Sequence, residues 1–170
     1  MSKVEIKKVE ATQWEEVWDI IKQTSDWMQK QGMSHWSSYY TPEVIKSKFD
    51  LGEVFVLYDD DKPVGTGSIS DHQPDYYSEQ DLACFTICQQ PAYMTALAVL
   101  PDYQSKGYGK MLVASREKYA AESNKYDCLR FDARASYSKL IKFHLKNGYK
   151  IVGVLDDEGE DYYLFEKRLK

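Results

Sequence analysis

The most informative stretch of the chain is LAVLPDYQSKGYGK, residues 97–110. An apolar run followed by a turn, two glycines and an amphipathic segment predicts a strand that leads into a helix. Backbone amides at a helix N-terminus lack intrahelical acceptors, and the helix dipole favours an anion there. Gly107 and Gly109 carry no side chain that would keep a phosphate from the backbone, and Lys106 and Lys110 add positive charge. These residues predict a phosphate or pyrophosphate site; the alternative is that the glycines only shape the turn.

Two common phosphate-binding patterns are absent from this stretch. A dinucleotide-binding fold requires Gly-x-Gly-x-x-Gly, but Leu112 stands at the third glycine position, and no acidic ribose-binding residue follows at the expected place. The P-loop pattern, Gly-x-x-x-x-Gly-Lys-Ser/Thr, does not occur. Neither of these fold classes accounts for the predicted anion site.

Periodicity and turn signals predict the elements on either side of this stretch. Seven strands are expected, at Val4–Val9, Val54–Tyr58, Lys62–Ile69, Ala92–Leu100, Cys128–Ala133, Ile151–Leu155 and Asp161–Glu166. Four helices are expected, from a Thr12–Glu15 capping box to Gly32, then at Pro42–Phe49, Gly109–Glu122 and Ser136–Asn147. The order β-α-α-β-β-β-α-β-α-β-β predicts one α/β or α+β domain, residues 1–170, with a mixed sheet.

Composition excludes several classes of function. The 22 Lys and Arg residues against 27 Asp and Glu leave a net charge of −5, the wrong sign for binding nucleic acid by bulk electrostatics. The longest mainly apolar stretch, Ala92–Leu100, is far shorter than the ~20 residues of a membrane helix, and the N-terminus lacks the apolar core of a signal peptide. The expectation is a cytoplasmic protein that binds neither nucleic acid nor membrane.

The cysteines and histidines predict no metal site. Cys84, Cys88 and Cys128 are an odd number without paired CxxC spacing, so structural zinc and a disulfide framework are not expected. Reduced, mostly buried thiols fit a cytosolic compartment. The three histidines lie far apart and form no metal-binding pattern.

Two motifs resemble those of the GNAT superfamily of acetyltransferases. Gln104-x-Lys106-Gly107-x-Gly109 resembles the family's (Gln/Arg)-x-x-Gly-x-(Gly/Ala) motif, and residues 143–149, FHLKNGY, resemble its hydrophobic-Tyr-x-x-x-Gly-Phe segment. The similarity is clear over residues 93–149, and the element order supports it from Val54 to the C-terminus. The resemblance implies a mixed, mostly antiparallel sheet of six to seven strands with helices on both faces. The resemblance does not decide whether the chain forms a homodimer.

The resemblance also implies acetyl-CoA as the acetyl donor. The pantetheine arm would pair with the backbone of the strand at residues 97–99, which in this family splays from the strand beginning near Cys128 so that the thioester enters the gap. Tyr108 and Lys110 carry side chains that could cover the cofactor. Tyr137 stands where many relatives have an Asn that contacts the cofactor, so Ser138 or Lys139 is expected to take that contact. The implied cofactor-binding residues are Leu97, Ala98, Val99, Gln104, Ser105, Lys106, Gly107, Tyr108, Gly109, Lys110, Ser138 and Lys139.

The expected catalytic acid departs from the family pattern. Relatives usually meet the departing thiolate with a tyrosine four residues before the glycine, but His144 stands there. An imidazolium could protonate a thiolate; the competing interpretation makes His144 a packing residue on an apolar helix face, with Tyr137 as the nearest substitute hydroxyl. A backbone N–H of the strand at residues 97–99 could hold the oxyanion. The sequence does not decide which group is the general base. The candidates are His72, Asp71, Glu53 and a water chain.

Aromatic residues mark the predicted acceptor side, namely Trp27, Trp36, Tyr39, Tyr76 and Tyr77. Acidic residues near Tyr76 make a cationic amine a natural ligand for such aromatic faces; the alternative is a solvated acidic loop beside a Trp-rich helix. The leading hypothesis is an acetyltransferase in which a primary amine of a small molecule or peptide N-terminus attacks the thioester directly. The alternatives are a non-catalytic acyl-CoA-binding or sensor module and a phosphate-binding interaction domain.

Overall fold

A computed structural model describes residues 2–169 of the chain. Within this range there are seven strands, β1 Val4–Val9, β2 Gly52–Asp59, β3 Lys62–Ser70, β4 Pro91–Val99, β5 Cys128–Arg134, β6 Lys150–Asp157 and β7 Glu160–Arg168. There are six α-helices, α1 Trp14–Lys30, α2 His35–Tyr39, α3 Pro42–Leu51, α4 Glu79–Cys84, α5 Tyr108–Ser123 and α6 Ser138–Lys146.

The strands form one mixed sheet in the order β1-β2-β3-β4-β5-β7-β6. The pairs β1–β2, β2–β3, β5–β7 and β6–β7 are antiparallel, whereas β4 and β5 are parallel. The predicted mixed, mostly antiparallel sheet of six to seven strands is therefore confirmed. The predicted order of long elements is confirmed as well.

Local signals fix most element ends, with one correction. Thr41 Oγ1 accepts a hydrogen bond from Val44 N at 3.2 Å, and Pro42 opens α3, as predicted. The predicted Thr12–Glu15 capping box is wrong: Gln13 Oε1 accepts from the Glu10 backbone N–H instead, because a short 3-10 helix precedes α1. The short helices α2 and α4 lie where no helix was predicted.

Contacts divide the chain into two compact units. The first comprises Met1–Ser70 and Thr95–Lys118, and the second comprises Asp71–Met94 and Tyr119–Lys170. The predicted single domain, residues 1–170, stays a prediction.

In the first unit, α5 packs directly on the backbone of β3. A Cβ at Gly67 would lie 2.9 Å from Arg116 Nε, so the buried guanidinium of Arg116 occupies the space where a side chain would stand. Arg116 Nη1 donates to Ser68 O at 3.0 Å and to Thr95 O at 3.4 Å. The missing side chain at position 67 thus lets α5 bond to the strand backbone.

In the second unit, the segment from Asp71 to Pro91 covers one face of the strands. Its core consists of Tyr77, Phe85, Tyr93, Leu155 and Leu164. Polar anchors hold the same segment, because Thr86 and Ile87 bond to β5 and β7 side chains. This segment between two strands is therefore firmly packed.

The expectation that the cysteines are reduced and form no disulfide is wrong. Cys88 and Cys128 form a disulfide, which ties the end of the Asp71–Pro91 segment to the first residue of β5. Cys84 is free and exposed at the end of α4. Counting cysteines could not reveal the pair, because Cys88 and Cys128 are 40 residues apart and meet only through the pairing of Pro91 with Cys128.

No described helix is long and apolar enough to cross a membrane. No group of three or more His, Cys, Asp or Glu side chains in that range is arranged to hold a metal ion.

Candidate functional site

A tight turn after β4 prepares the predicted anion site in the first unit. Leu100 N donates to Val64 O at 2.8 Å, and Gln104 Nε2 donates to Val99 O at 3.1 Å, so the turn is fastened to two strands. Ser105 and Gly107 both have positive φ, +66° and +86°. The side chain of Gln104 therefore shapes the turn, and the two left-handed residues lead the chain into α5.

The N-terminus of α5 presents unsatisfied amides. The first helical bond runs from Met111 N to Gly107 O at 3.1 Å, so the preceding amides of the first turn have no intrahelical acceptor. A Cβ at Gly107 would meet no atom within 4 Å. Space beside these amides is therefore open, and the helix dipole adds a partial positive charge there.

Lysines supply further positive charge at this turn. Lys62 Nζ and Lys106 Nζ lie 5.1 Å and 5.0 Å from the centroid of the Tyr103 ring, which places both cations beside one aromatic side chain. Lys110 is exposed in the first turn of α5. The positive charges of the turn therefore favour an anion, and the binding of an anion there stays a prediction.

The side chain of Tyr108 points into the first unit. It is buried, and its hydroxyl donates to Asp59 Oδ2 at 2.6 Å. This hydrogen bond lowers the pKa of Asp59 and raises the pKa of Tyr108. The ring thus belongs to the interior of the unit, and its predicted contact with a cofactor stays a prediction, as does the role of the Tyr108 backbone amide in the anion site.

The strand β4 bends at Ala96, whose φ is +56°. A non-glycine residue rarely adopts this conformation, and such strain gathers at functional sites. Around it, Thr95 O accepts from Ser68 Oγ at 3.1 Å and from Arg116 Nη1, and Thr95 Oγ1 accepts from Lys48 Nζ at 2.9 Å. The bend directly precedes residues 97–99, the predicted pantetheine-binding backbone. No sequence signal marked Lys48, Ser68 or Arg116 as its supports.

The predicted acid, His144, lies in the aromatic core of the second unit. Its ring centroid is 4.4 Å from that of Phe131 and 5.3 Å from that of Phe165, and the rings of Phe143 and Tyr149 also pack near it. This environment favours the packing interpretation over the catalytic one. A role for His144 in catalysis stays a prediction.

The other predicted residues near α6 lie at its N-terminus. Tyr137 precedes the helix and is half-buried, and burial raises the pKa of its hydroxyl. Ser138 and Lys139 are exposed in the first helical turn. Their predicted contacts with the cofactor stay predictions.

The predicted acceptor residues fall into two groups, one in each unit. In the first unit, Trp36 and Tyr39 each pack edge-on against Tyr40, at 5.1 Å and 5.0 Å, and Trp27 is half-buried in α1. In the second unit, the rings of Tyr76 and Tyr77 are 5.2 Å apart and nearly perpendicular. The exposed rings of Tyr39 and Tyr76 give each group an accessible face.

Two of the residues considered as bases, Glu53 and His72, have ordinary surface partners. Glu53 lies 3.7 Å from Lys8, and His72 Nε2 lies 3.2 Å from Asp75. Sequence reasoning missed Asp132, which accepts a hydrogen bond from Tyr76 Oη at 3.1 Å. The only signal for it in the sequence is a charged residue inside the apolar pattern of β5.

Comparison with known proteins decides the family. The sequence model of the acetyltransferase (GNAT) family matches residues 14–149, four fifths of the chain. This chain belongs to the GNAT acetyltransferase family. Acetyl-CoA-dependent acetyl transfer is the reaction of that family. No curated protein sequence matches the chain.

Solved GNAT structures share the fold along nearly the whole chain. The ribosomal-protein-S18-alanine N-acetyltransferase of Escherichia coli is 15% identical with a TM-score of 0.74, covering 98% of this chain and 94% of its own. PaiA N-acetyltransferase of Thermoplasma acidophilum, solved with coenzyme A, is 18% identical with a TM-score of 0.66, covering 98% of this chain and 99% of its own. YncA of Salmonella typhimurium, solved with its cofactor acetyl-CoA, is 12% identical with a TM-score of 0.69, covering 98% of this chain and 94% of its own.

The turn before α5 fits the diphosphate of a CoA cofactor. An anion can approach the first-turn amides because the space that a Cβ at Gly107 would fill is open. Lys106 and Lys110 can neutralise part of the charge, and the backbone of residues 97–99 follows the bend in β4. The residues of this turn are therefore compatible with the coenzyme A and the acetyl-CoA bound in the Thermoplasma and Salmonella structures.

Proposed function

We propose that this chain transfers the acetyl group of acetyl-CoA to a primary amine, either of a small molecule or of a peptide N-terminus. The observation that carries the proposal is the open, amide-lined N-terminus of α5 directly after the bent strand β4. Family membership supports the acetyl donor. The aromatic and acidic side chains near Tyr76 support an amine as the acceptor.

The residues of this chain bind and orient the two substrates. The amides of residues 106–110 hold the diphosphate, and the backbone of residues 97–99 aligns the pantetheine arm. When bound, acetyl-CoA supplies a thioester carbonyl that a neutral amine can attack; the new C–N bond replaces the C–S bond, and the proton lost by nitrogen ends on the CoA thiol. A backbone N–H near the Ala96 bend would stabilise negative charge on the carbonyl oxygen at no side-chain cost.

A pair of glycine variants tests the cofactor site. Gly107 and Gly159 have the same φ, +86°, and neither would place a Cβ within 4 Å of another atom. Alanine at either position is expected to cost a similar free energy of unfolding, about 1–2 kcal/mol, since both force a left-handed conformation. Only Gly107→Ala is expected to weaken CoA binding, because only its methyl group stands beside the phosphate-binding amides.

Two measurements read out the test. Calorimetric titration with CoA measures affinity, and release of the CoA thiol from acetyl-CoA in the presence of an amine panel measures transfer. Equal CoA affinity of the two variants would contradict the assignment of the turn. Intact CoA binding without thiol release on any amine would favour the non-catalytic module.

A further inference from the structure

The carbonyl of Thr95, one residue before the bend in β4, is held by two side chains of the first unit. Ser68 Oγ donates to Thr95 O at 3.1 Å, and Arg116 Nη1 donates to it at 3.4 Å. Ser68 is 4% exposed and Arg116 is 2% exposed. A hydrogen bond in the interior is electrostatically stronger than one in water. These two donors therefore fix the direction of the Thr95 C=O bond.

A half-buried lysine orders the hydroxyl protons beside this carbonyl. Lys48 Nζ donates to Thr95 Oγ1 at 2.9 Å, and Thr95 Oγ1 lies 2.7 Å from Ser68 Oγ. An ammonium only donates and a carbonyl only accepts, so the Thr95 hydroxyl donates to Ser68, and the Ser68 hydroxyl donates to Thr95 O. Each bond in such a chain polarises the next. The charge of Lys48 therefore strengthens the bond from Ser68 to the carbonyl.

Fixing this carbonyl also fixes the next backbone amide. The peptide bond between Thr95 and Ala96 is trans, so its C=O and N–H lie in one plane and point in opposite directions. The Ala96 N–H therefore points away from Ser68 and Arg116. Hydrogen bonds to the carbonyl oxygen also draw electron density from the peptide nitrogen, which makes the N–H a stronger donor.

The conformation of Ala96 requires supports of this kind. Its φ of +56° lies in the left-handed region, which a residue other than glycine keeps only when its surroundings hold it there. The ladder from β4 to β5 ends at Tyr93, so that ladder does not use the Ala96 amide. Residues 97–99, the backbone proposed to align the pantetheine arm, follow directly. The supported amide is therefore next to the part of β4 where the thioester is expected.

We propose that Ser68, Arg116 and Lys48 are positioning residues of the acetyl transfer. They hold the peptide before the bend so that the Ala96 N–H donates to the carbonyl oxygen of the thioester. Negative charge develops on that oxygen as the amine attacks, and a donor that is already oriented stabilises it without reorganisation. The three side chains act through the peptide and do not touch the substrate. This inference rests on the proposed function and assigns to it a backbone donor and the side chains that orient that donor.

Ser68→Ala tests the inference, with Thr66→Val as the matched control. Both variants remove a buried hydroxyl of β3 that donates to a backbone carbonyl, because Thr66 Oγ1 donates to Phe55 O at 2.8 Å. Both are expected to lower the melting temperature. Only S68A is expected to lower kcat for acetyl transfer, by about tenfold to a hundredfold, because it releases Thr95 O and so displaces an oriented donor.

Binding without an acceptor gives a readout that a purely structural role would not change. The Ala96 N–H can bond to the acetyl carbonyl of acetyl-CoA, whereas CoA has no such group. S68A is therefore expected to raise the Kd of acetyl-CoA about twofold to tenfold, the range for one neutral hydrogen bond, and to leave the Kd of CoA unchanged. Calorimetric titration below the melting temperature of both variants measures the two constants.

Two lysine variants of α3 test the contribution of Lys48. Lys46 Nζ lies 4.3 Å from the centroid of the Trp14 ring, so K46M removes a charge from the same helix that contacts a different side chain. K48M is expected to lower kcat and acetyl-CoA affinity less than S68A does, because Ser68 still donates to the carbonyl. K46M is expected to change neither. Equal kcat and equal acetyl-CoA affinity in K48M and K46M would overturn the role of Lys48.

Three results would overturn the inference as a whole: equal kcat in S68A and T66V, an unchanged Kd of acetyl-CoA in S68A, or an equal rise in the Kd of CoA and acetyl-CoA. Failure of the unaltered chain to acetylate any amine bears on the proposed function alone, because the two titrations need no acceptor. A chain that binds neither CoA nor acetyl-CoA would overturn both.

Discussion

Replacing Glu166 with glutamine removes the anionic partner of a buried guanidinium. The side chains of Arg130 and Glu166 are 8% and 3% exposed, and their ion pair measures 2.9 Å. Glu166 also accepts from the backbone N–H and the hydroxyl of Thr86, and Arg130 donates to Thr86 O and to Tyr93 Oη. The guanidinium lies 4.6 Å from the centroid of the Phe85 ring. E166Q keeps the shape of this network and deletes its negative charge.

The expected loss follows from desolvation. Breaking a buried ion pair by removing one partner costs about 3–5 kcal/mol, because the other charge stays buried without compensation. For a chain of this size, 1 kcal/mol corresponds to about 2–4 °C in melting temperature. E166Q is therefore expected to lower the melting temperature by about 6–20 °C.

Urea unfolding followed by circular dichroism measures the loss, with E160Q as the matched control. The Arg134–Glu160 pair is equally short, 3.0 Å, but its side chains are 15% and 50% exposed, so E160Q is expected to cost at most about 1 kcal/mol. The double variant R130M/E166M is expected to recover most of the loss, since no charge remains buried. Equal losses in E166Q and E160Q, or a double variant less stable than E166Q, would refute the reasoning.

Three other predictions concern the histidine, cysteine and tyrosine residues of the chain. H144F is expected to fold and to keep kcat, since four aromatic rings already surround the imidazole; a large fall in kcat with an unchanged fold would restore the catalytic interpretation. Iodoacetamide is expected to label one thiol of the native chain, Cys84, and three after reduction, because Cys88 and Cys128 are paired; mass spectrometry counts them. Stability is expected to fall as the pH rises above about 10, the ordinary tyrosine pKa, because five tyrosines hold their protons more tightly when folded; alkaline unfolding measured together with tyrosinate absorbance checks this. Those five are Tyr58, Tyr77, Tyr108, Tyr137 and Tyr162.

Local sequence signals were sufficient to predict most of the strands and helices. The two strands predicted at Val54–Tyr58 and Lys62–Ile69 are β2 and β3, which a turn at Asp60 and Asp61, with φ of +48° and +68°, links as an antiparallel pair. Periodicity located every strand and the four long helices. It missed α2 and α4, because five or six residues are too few to establish a helical period.

The candidate site was only partly visible in the sequence. The turn before α5 could be predicted, because its glycines and lysines act through local backbone geometry. Long-range partners could not be predicted. The hydrogen bond between Tyr76 and Asp132 joins residues 56 positions apart, and Lys48 reaches Thr95 from 47 positions away. The disulfide was missed for the same reason.

The absence of a side chain at Gly67 couples two distant positions in evolution. Arg116 fills the space that any larger residue at position 67 would need. A β-carbon could be accommodated there only if a shorter side chain replaced the arginine, and the carbonyls of Ser68 and Thr95 would then lose a donor. Positions 67 and 116 are therefore expected to vary together among descendants of this sequence, as glycine with arginine or as a larger residue with a smaller one.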